Sequence, residues 1–150
     1  MGLIQRVRVR AIVLVRRGED VLLVDHFDAT DGLVWGVPGG GVEFGERAED
    51  AARRELLEES GIVAKELRLL SIFENIFHHA GETGHEICFA FETDATGTPA
   101  ATLDVIDGQE SDGAAMILRW VSVAEVLEHR RITWPAAIPE LLSGDSDTRS

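Results

Sequence analysis

The 150-residue sequence holds one cysteine, no tyrosine and four prolines, and its 14 basic residues against 27 acidic ones leave a formal net charge of −13. One cysteine excludes an internal disulfide, and the alternating apolar segment around Cys88 reads as the setting of a buried thiol without chemistry. The shortage of positive charge, with a pI near 4.7, argues against broad binding to nucleic-acid backbones or anionic membranes, which calls for basic patches. No apolar run approaches the roughly 20 residues of a membrane helix; AIVLV at 11–15 ends on Arg16 and Arg17. The N-terminus alternates arginine with valine and has no apolar run with a small-residue cleavage site, and Arg6 stands where a myristoylation signal has Ser or Thr. A soluble, cytoplasmic protein is expected, with no membrane and no nucleic-acid partner. The length and the 45% hydrophobic content suit a single globular core. We expect one domain over residues 1–143 and a disordered tail over 144–150, GDSDTRS.

What is present in excess is negative charge, and it is concentrated. GGVEFGERAEDAARRELLEESGI, residues 40–62, places six glutamates, among them Glu46, Glu55, Glu58 and Glu59, in one loop and helix. Arg47–Ser60 lacks Pro and Gly and is predicted to be a helix, stopped by Gly61 at C′. At 100° per residue, Glu55, Glu58 and Glu59 fall within about a 100° arc, with like charges at i,i+3 and i,i+4. Most charge runs are solvated helix faces, but Glu55 and Glu59 gain no basic residue one turn away. Such a cluster disfavours its helix unless cations bind there, and carboxylate oxygens suit hard divalent ions, Mg²⁺ or Mn²⁺.

The spacing is also distinctive. Gly40, five residues, Glu46, seven residues, Arg54-Glu55-Leu56, one residue, Glu58-Glu59, one residue, Gly61-Ile62 matches every specified position of the Nudix box, so the chain resembles the Nudix hydrolases. The resemblance covers 23 residues by motif and implies an α/β/α sandwich with a mixed central sheet. It implies Mg²⁺- or Mn²⁺-dependent hydrolysis of a nucleoside diphosphate linked to a group X. Glu55, Glu58 and Glu59 are then metal-binding carboxylates, with Glu55 a ligand or the general base. The same resemblance makes the Gly39 carbonyl a ligand and Glu46 a more distant ligand, direct or through water. Arg54 is expected to orient a helix carboxylate.

Gly40 and Gly41 are candidate substrate contacts. Trp35, just before the glycine run, either stacks on a base or packs in the core, and core packing is expected of Trp120 and Trp134. Glu110 is a candidate extra ligand or base, as are Glu86 and Glu92. His78, His79 and His85 invite a metal reading, but a carboxylate-rich Mg²⁺ site needs no imidazole. Subfamily marks are useful by their absence: no tyrosine follows the box, no proline lies within 63–98, and no NADH-type or coenzyme A run is present. A nucleoside triphosphate, a nucleotide sugar or another small nucleotide substrate remains. The alternative class is a non-catalytic nucleotide sensor, which would be expected to lose box carboxylates. Capped RNA is disfavoured by the missing basic, aromatic-interleaved stripe. Oligomeric state, a homodimer included, stays open.

Along the chain, 7–15 and 21–26 are predicted strands, followed by a loop, DATDGL, and a short strand over 33–38. Further strands are expected over 67–77 and 86–92, joined by a polar connection, HHAGETGH. Residues 93–113 read as a long loop. A strand over 117–121 precedes a helix from an N-cap at Ser122 through His129, and a last helix spans 135–142. Propensity alone supports α+β about as well as α/β.

Overall fold

The computed structural model describes residues 5–128 and 131–144. The strands are β1 (Arg8–Arg17), β2 (Asp20–Asp28), β3 (Gly32–Gly36), β4 (Gly39–Gly41), β5 (Arg68–His79), β6 (Glu82–Asp94), β7 (Val105–Gln109) and β8 (Ala115–Ser122). The helices are α1 (Ala48–Ser60), α2 (Val123–Leu127) and α3 (Ile138–Ser143). One sheet runs β5-β6-β1-β2-β8-β7, with β3 on β2 and β4 on β1. It is mixed, because β1 and β6 are parallel while the other pairs are antiparallel.

The centre of the sheet follows from the composition of β1. Its run Ala11–Val15 is apolar on both faces and wholly buried, as a strand covered on both sides requires. Ala11, Val13 and Val15 pack with Ala51, Ala52 and Leu56 of α1, and Ile12 and Leu14 pack on the opposite face with Val126, Ile138 and Leu142 of α2 and α3. Alternation along one strand thus builds two cores and three layers. No helix among the described residues is long and apolar enough to cross a membrane.

Helix α1 starts one residue later than predicted and ends as expected, at Gly61 with φ 76°, whose N–H donates to the Leu57 carbonyl. Ser122 caps α2, its hydroxyl accepting from the Glu125 N–H at 3.2 Å. His129 and the tail residues 145–150 lie outside the described residues.

Two expectations are corrected. The polar stretch HHAGETGH is mostly strand: β5 continues through His79 and β6 begins at Glu82, leaving a two-residue turn of Ala80 (φ 51°) and Gly81 (φ 80°). Positive φ at both central residues is the geometry whose twist suits a tight hairpin. The supposed long loop at 93–113 contains the end of β6, a 3-10 turn at Pro99–Thr102 and β7. Only Ile106 of β7 is buried, so the strand has no apolar alternation to announce it.

Candidate active site

The glycine run forms the roof of the site. In β4, Gly39, Gly40 and Gly41 pair with Ile12, Ala11 and Arg10 of β1, which brings bare backbone over α1. A Cβ at Gly40 would coincide with the Glu55 carboxyl, so glycine is required there by the closeness of helix and strand. The Gly39 N–H donates to Glu59 Oε1 at 3.0 Å. Glu55 and Glu59 are 7% and 6% exposed, far below what unpaired carboxylates normally accept.

Arg54 organises the remaining acids. Its Nε and Nη2 grip Glu46 Oε2 and Oε1 at 2.8 and 3.0 Å, while Nη1 donates to Glu55 Oε1 at 2.9 Å and Nη2 to the Gly41 carbonyl at 3.1 Å. A fork that meets one carboxylate bidentately has donors left for a second. The guanidinium hydrogen bonds, helped by the Glu43 N–H, hold Glu46 down at about 2, and the same contact to Glu46 raises Arg54 above the usual arginine value. Glu58 Oε2 is 3.6 Å from Arg54, its side chain 47% exposed.

Glu59 has the opposite electrostatic setting. Burial, with the negative Glu55 carboxylate within hydrogen-bonding reach, pushes it up to about 8 against the opposing effects of the Gly39 N–H and Arg10. The site is therefore a desolvated acid pair, Glu55 and Glu59, with one solvent-facing acid, Glu58, beside it.

The other sequence candidates are distributed differently. Glu46, expected as a distant ligand, has both oxygens on Arg54. Arg54, expected to orient a helix carboxylate, donates to Glu55 as well as to Glu46. Glu110 lies in the β7–β8 turn, its N–H donating to the Ala114 carbonyl, on a hairpin that touches α1 through Gly108 and the Glu59 carbonyl. Trp35 takes the core alternative: its ring is 4% exposed, packs in the core and is covered by Arg131 at 4.7 Å. It offers no open face for a base.

Arg10, which the sequence reading missed, joins the acids to a cavity of about 330 Å³ lined by Arg10, Asn75, Phe77, His79, Glu86 and Trp134. Glu86 is 8% exposed, 3.6 Å from Arg10 Nη1, and accepts from Asn75 Nδ2 at 3.1 Å. Arg10 was legible only as one residue of an alternating strand. Its importance comes from its register opposite Gly41 and Cys88, which one sequence does not print. A hollow of about 450 Å³ between β5 and α3, lined by Leu70, Phe73 and Leu141 among others, includes none of the box residues.

A three-layer domain with an acidic helix pinned beneath a glycine strand is the class of protein that this fold and site define. Comparison with known proteins narrows it. The family profile of the NUDIX domain matches residues 5–141, and the chain belongs to that family. It is 49% identical over 69 residues to diphosphoinositol polyphosphate phosphohydrolase 2 of Rattus norvegicus, covering 44% of this chain and 37% of that protein. It is 38% identical over 86 residues to the NAD-capped RNA hydrolase NudC of Pectobacterium atrosepticum, covering 57% of this chain and 30% of that one. The chain thus spans about a third of the length of the curated relatives it matches. Among solved structures, the MutT NUDIX hydrolase from Burkholderia pseudomallei superposes with a TM-score of 0.69 at 25% identity, over 93% of this chain and 98% of that one. These relatives are all named as hydrolases.

Proposed function

We propose that this chain hydrolyses a phosphoanhydride bond in a nucleoside diphosphate linked to a group X, a nucleoside triphosphate or nucleotide sugar being favoured, with Mg²⁺ or Mn²⁺ as cofactor. The observation that carries the reading is the pair of buried, mutually interacting carboxyls of Glu55 and Glu59 under Gly39 and Gly40. Two such acids do not both ionise without a compensating positive charge, and an oxygen-only donor set suits a hard divalent ion. The residues therefore fit the cofactor. Glu55, Glu58 and Glu59 would hold it, with the Gly39 carbonyl as a backbone donor. When bound, it neutralises diphosphate oxygens and acidifies water, the two requirements of attack on phosphorus.

The chain's own residues supply the rest. Arg54 fixes the Glu55 carboxylate and ties the Glu46 loop to the helix. Glu59 retains its proton near neutral pH until a cation displaces it. Arg10, the basic group between the acids and the cavity, is placed to meet a phosphate oxygen, and the cavity beyond it accepts a nucleoside or X. The retention of all four box carboxylates speaks for catalysis over a sensor role.

A panel of nucleoside triphosphates, nucleotide sugars and dinucleotides, assayed for phosphate release with Mg²⁺ and with Mn²⁺, tests the proposal. At least one class should turn over and stop on chelation. Nucleotide binding without turnover across the panel would place the chain among sensors instead.

A further inference from the structure

A second group of metal-ligating atoms lies away from the acidic helix. Asp28 ends β2, Asp31 follows in the β2–β3 turn, and His79 ends β5; one ligand atom from each lies within 4.8 Å of the others. The imidazole here meets two carboxylates and none of the other histidines. His79 Nε2 stands 2.9 Å from Asp28 Oδ1. Donors about 2.1 Å from one ion and set at 90–110° are separated by roughly 3.0–3.4 Å, so the Asp28–His79 pair needs little adjustment to admit an ion, while the Asp31 carboxylate, within 4.8 Å of both, would have to draw in.

The local structure prepares each donor. Asp28 Oδ2 accepts the N–H groups of Thr30 and Asp31 at 2.9 and 2.8 Å, which fixes the carboxylate and leaves Oδ1 directed at His79. The imidazole is set edge-on against the Trp134 ring, 5.2 Å between centroids at 69°. Among the described residues, neither aspartate is ion-paired to Arg or Lys, so two carboxylates face one imidazole without a fixed cation. A separate observation concerns position: Asp31 and His79 both line the mouth of the 330 Å³ cavity. An ion held by three protein donors there keeps a coordination position for water or for a ligand in that cavity.

We propose that Asp28, Asp31 and His79 form a second metal site, for a borderline divalent ion of the Zn²⁺ or Co²⁺ type, distinct from the carboxylate site on α1. One nitrogen and two oxygen donors select such ions over Mg²⁺ and Ca²⁺, which prefer oxygen alone, and over Cu⁺, which prefers sulfur. The site joins the β2–β3 turn to the tip of the β5–β6 hairpin across the cavity mouth and places positive charge at one edge of an acidic protein. It does not depend on the hydrolase reading.

The test uses the full chain, stripped with chelator, in a Glu59→Gln background so that the helix site does not compete. Zn²⁺ is titrated by calorimetry and Co²⁺ by visible absorption. One equivalent should bind, with bands characteristic of mixed nitrogen and oxygen coordination. Adding Asp31→Asn should weaken binding about tenfold or more, and adding His79→Gln should abolish the Co²⁺ bands. Asp31 is exposed, so its variant should melt like its parent without metal, and Zn²⁺ should raise the melting temperature of the parent only. Absence of uptake, or uptake unmoved by both substitutions, would overturn the site.

Discussion

At the scale of single residues, the sharpest contrast is between Glu46 and Glu59. Glu46 is held at about 2 by Arg54, whereas burial raises Glu59 to about 8. For Glu59 the sign is unfavourable to folding at neutral pH. Below its ordinary value near 4.5 both states carry the proton; from there to about 8 the unfolded chain ionises while the folded chain does not. Stability of the metal-free protein should therefore fall across that window, by an amount on the order of a few kcal/mol. Glu59→Gln mimics the protonated acid, so in chelator its melting temperature should match the parent at pH 4 and exceed it at pH 8. The same variant should lose turnover by orders of magnitude with Mg²⁺ present. Arg54→Lys exchanges a fork for a point charge that cannot hold Glu46 and Glu55 together; a fall of roughly 10–100-fold in activity is expected. A metal titration of that variant should show half-saturation moved to higher Mg²⁺.

At the scale of elements, the decisive contact is helix α1 against strand β4. Gly40→Ala would drive a methyl into the Glu55 carboxyl, and the two elements would have to separate. We expect a stability loss of about 1–3 kcal/mol in denaturant titrations, with loss of activity exceeding what residual folding explains. The hairpin offers the opposite case. Ala80→Gly relieves the positive φ of a non-glycine residue and should raise the melting temperature slightly, since the strain of about 1–2 kcal/mol outweighs the added chain entropy. What could be read from the sequence divides along the same line. Helix α1 was legible because its residues carry both a stop at Gly61 and an unbalanced acidic arc, local signals within a few turns. The β5–β6 turn and β7 were not, since both are polar strands defined by main-chain pairing, and only Ile106 of β7 reaches the core. The contacts of Arg10 with Glu86 and of Asp28 with His79 join distant segments. Local patterns carry no record of them, just as nothing near Trp35 announced that Arg131 would cover it.

At the scale of the whole molecule, the two cores are separated by a single sheet and share its central strand. Cys88, on β6, is fully buried and its thiol is pushed up to about 11, chiefly by burial. Both effects suppress the reactive thiolate at pH 8. Alkylation by iodoacetamide should therefore follow opening of the fold, and its rate should rise with urea in step with the unfolded fraction measured by circular dichroism. Rapid labelling of the native protein would show that the sheet is breached locally near β6.

The parallel pairing of β1 with β6 sets the order in which the chain can be completed. Arg8 lies opposite Glu86 and Arg16 opposite Asp94, so during synthesis β1 must wait for a neighbour that is made well after it. Until then the most oily segment of the protein has one flank bare. Closing so large a loop is slow, and during synthesis this interval is when a chaperone has most to shield.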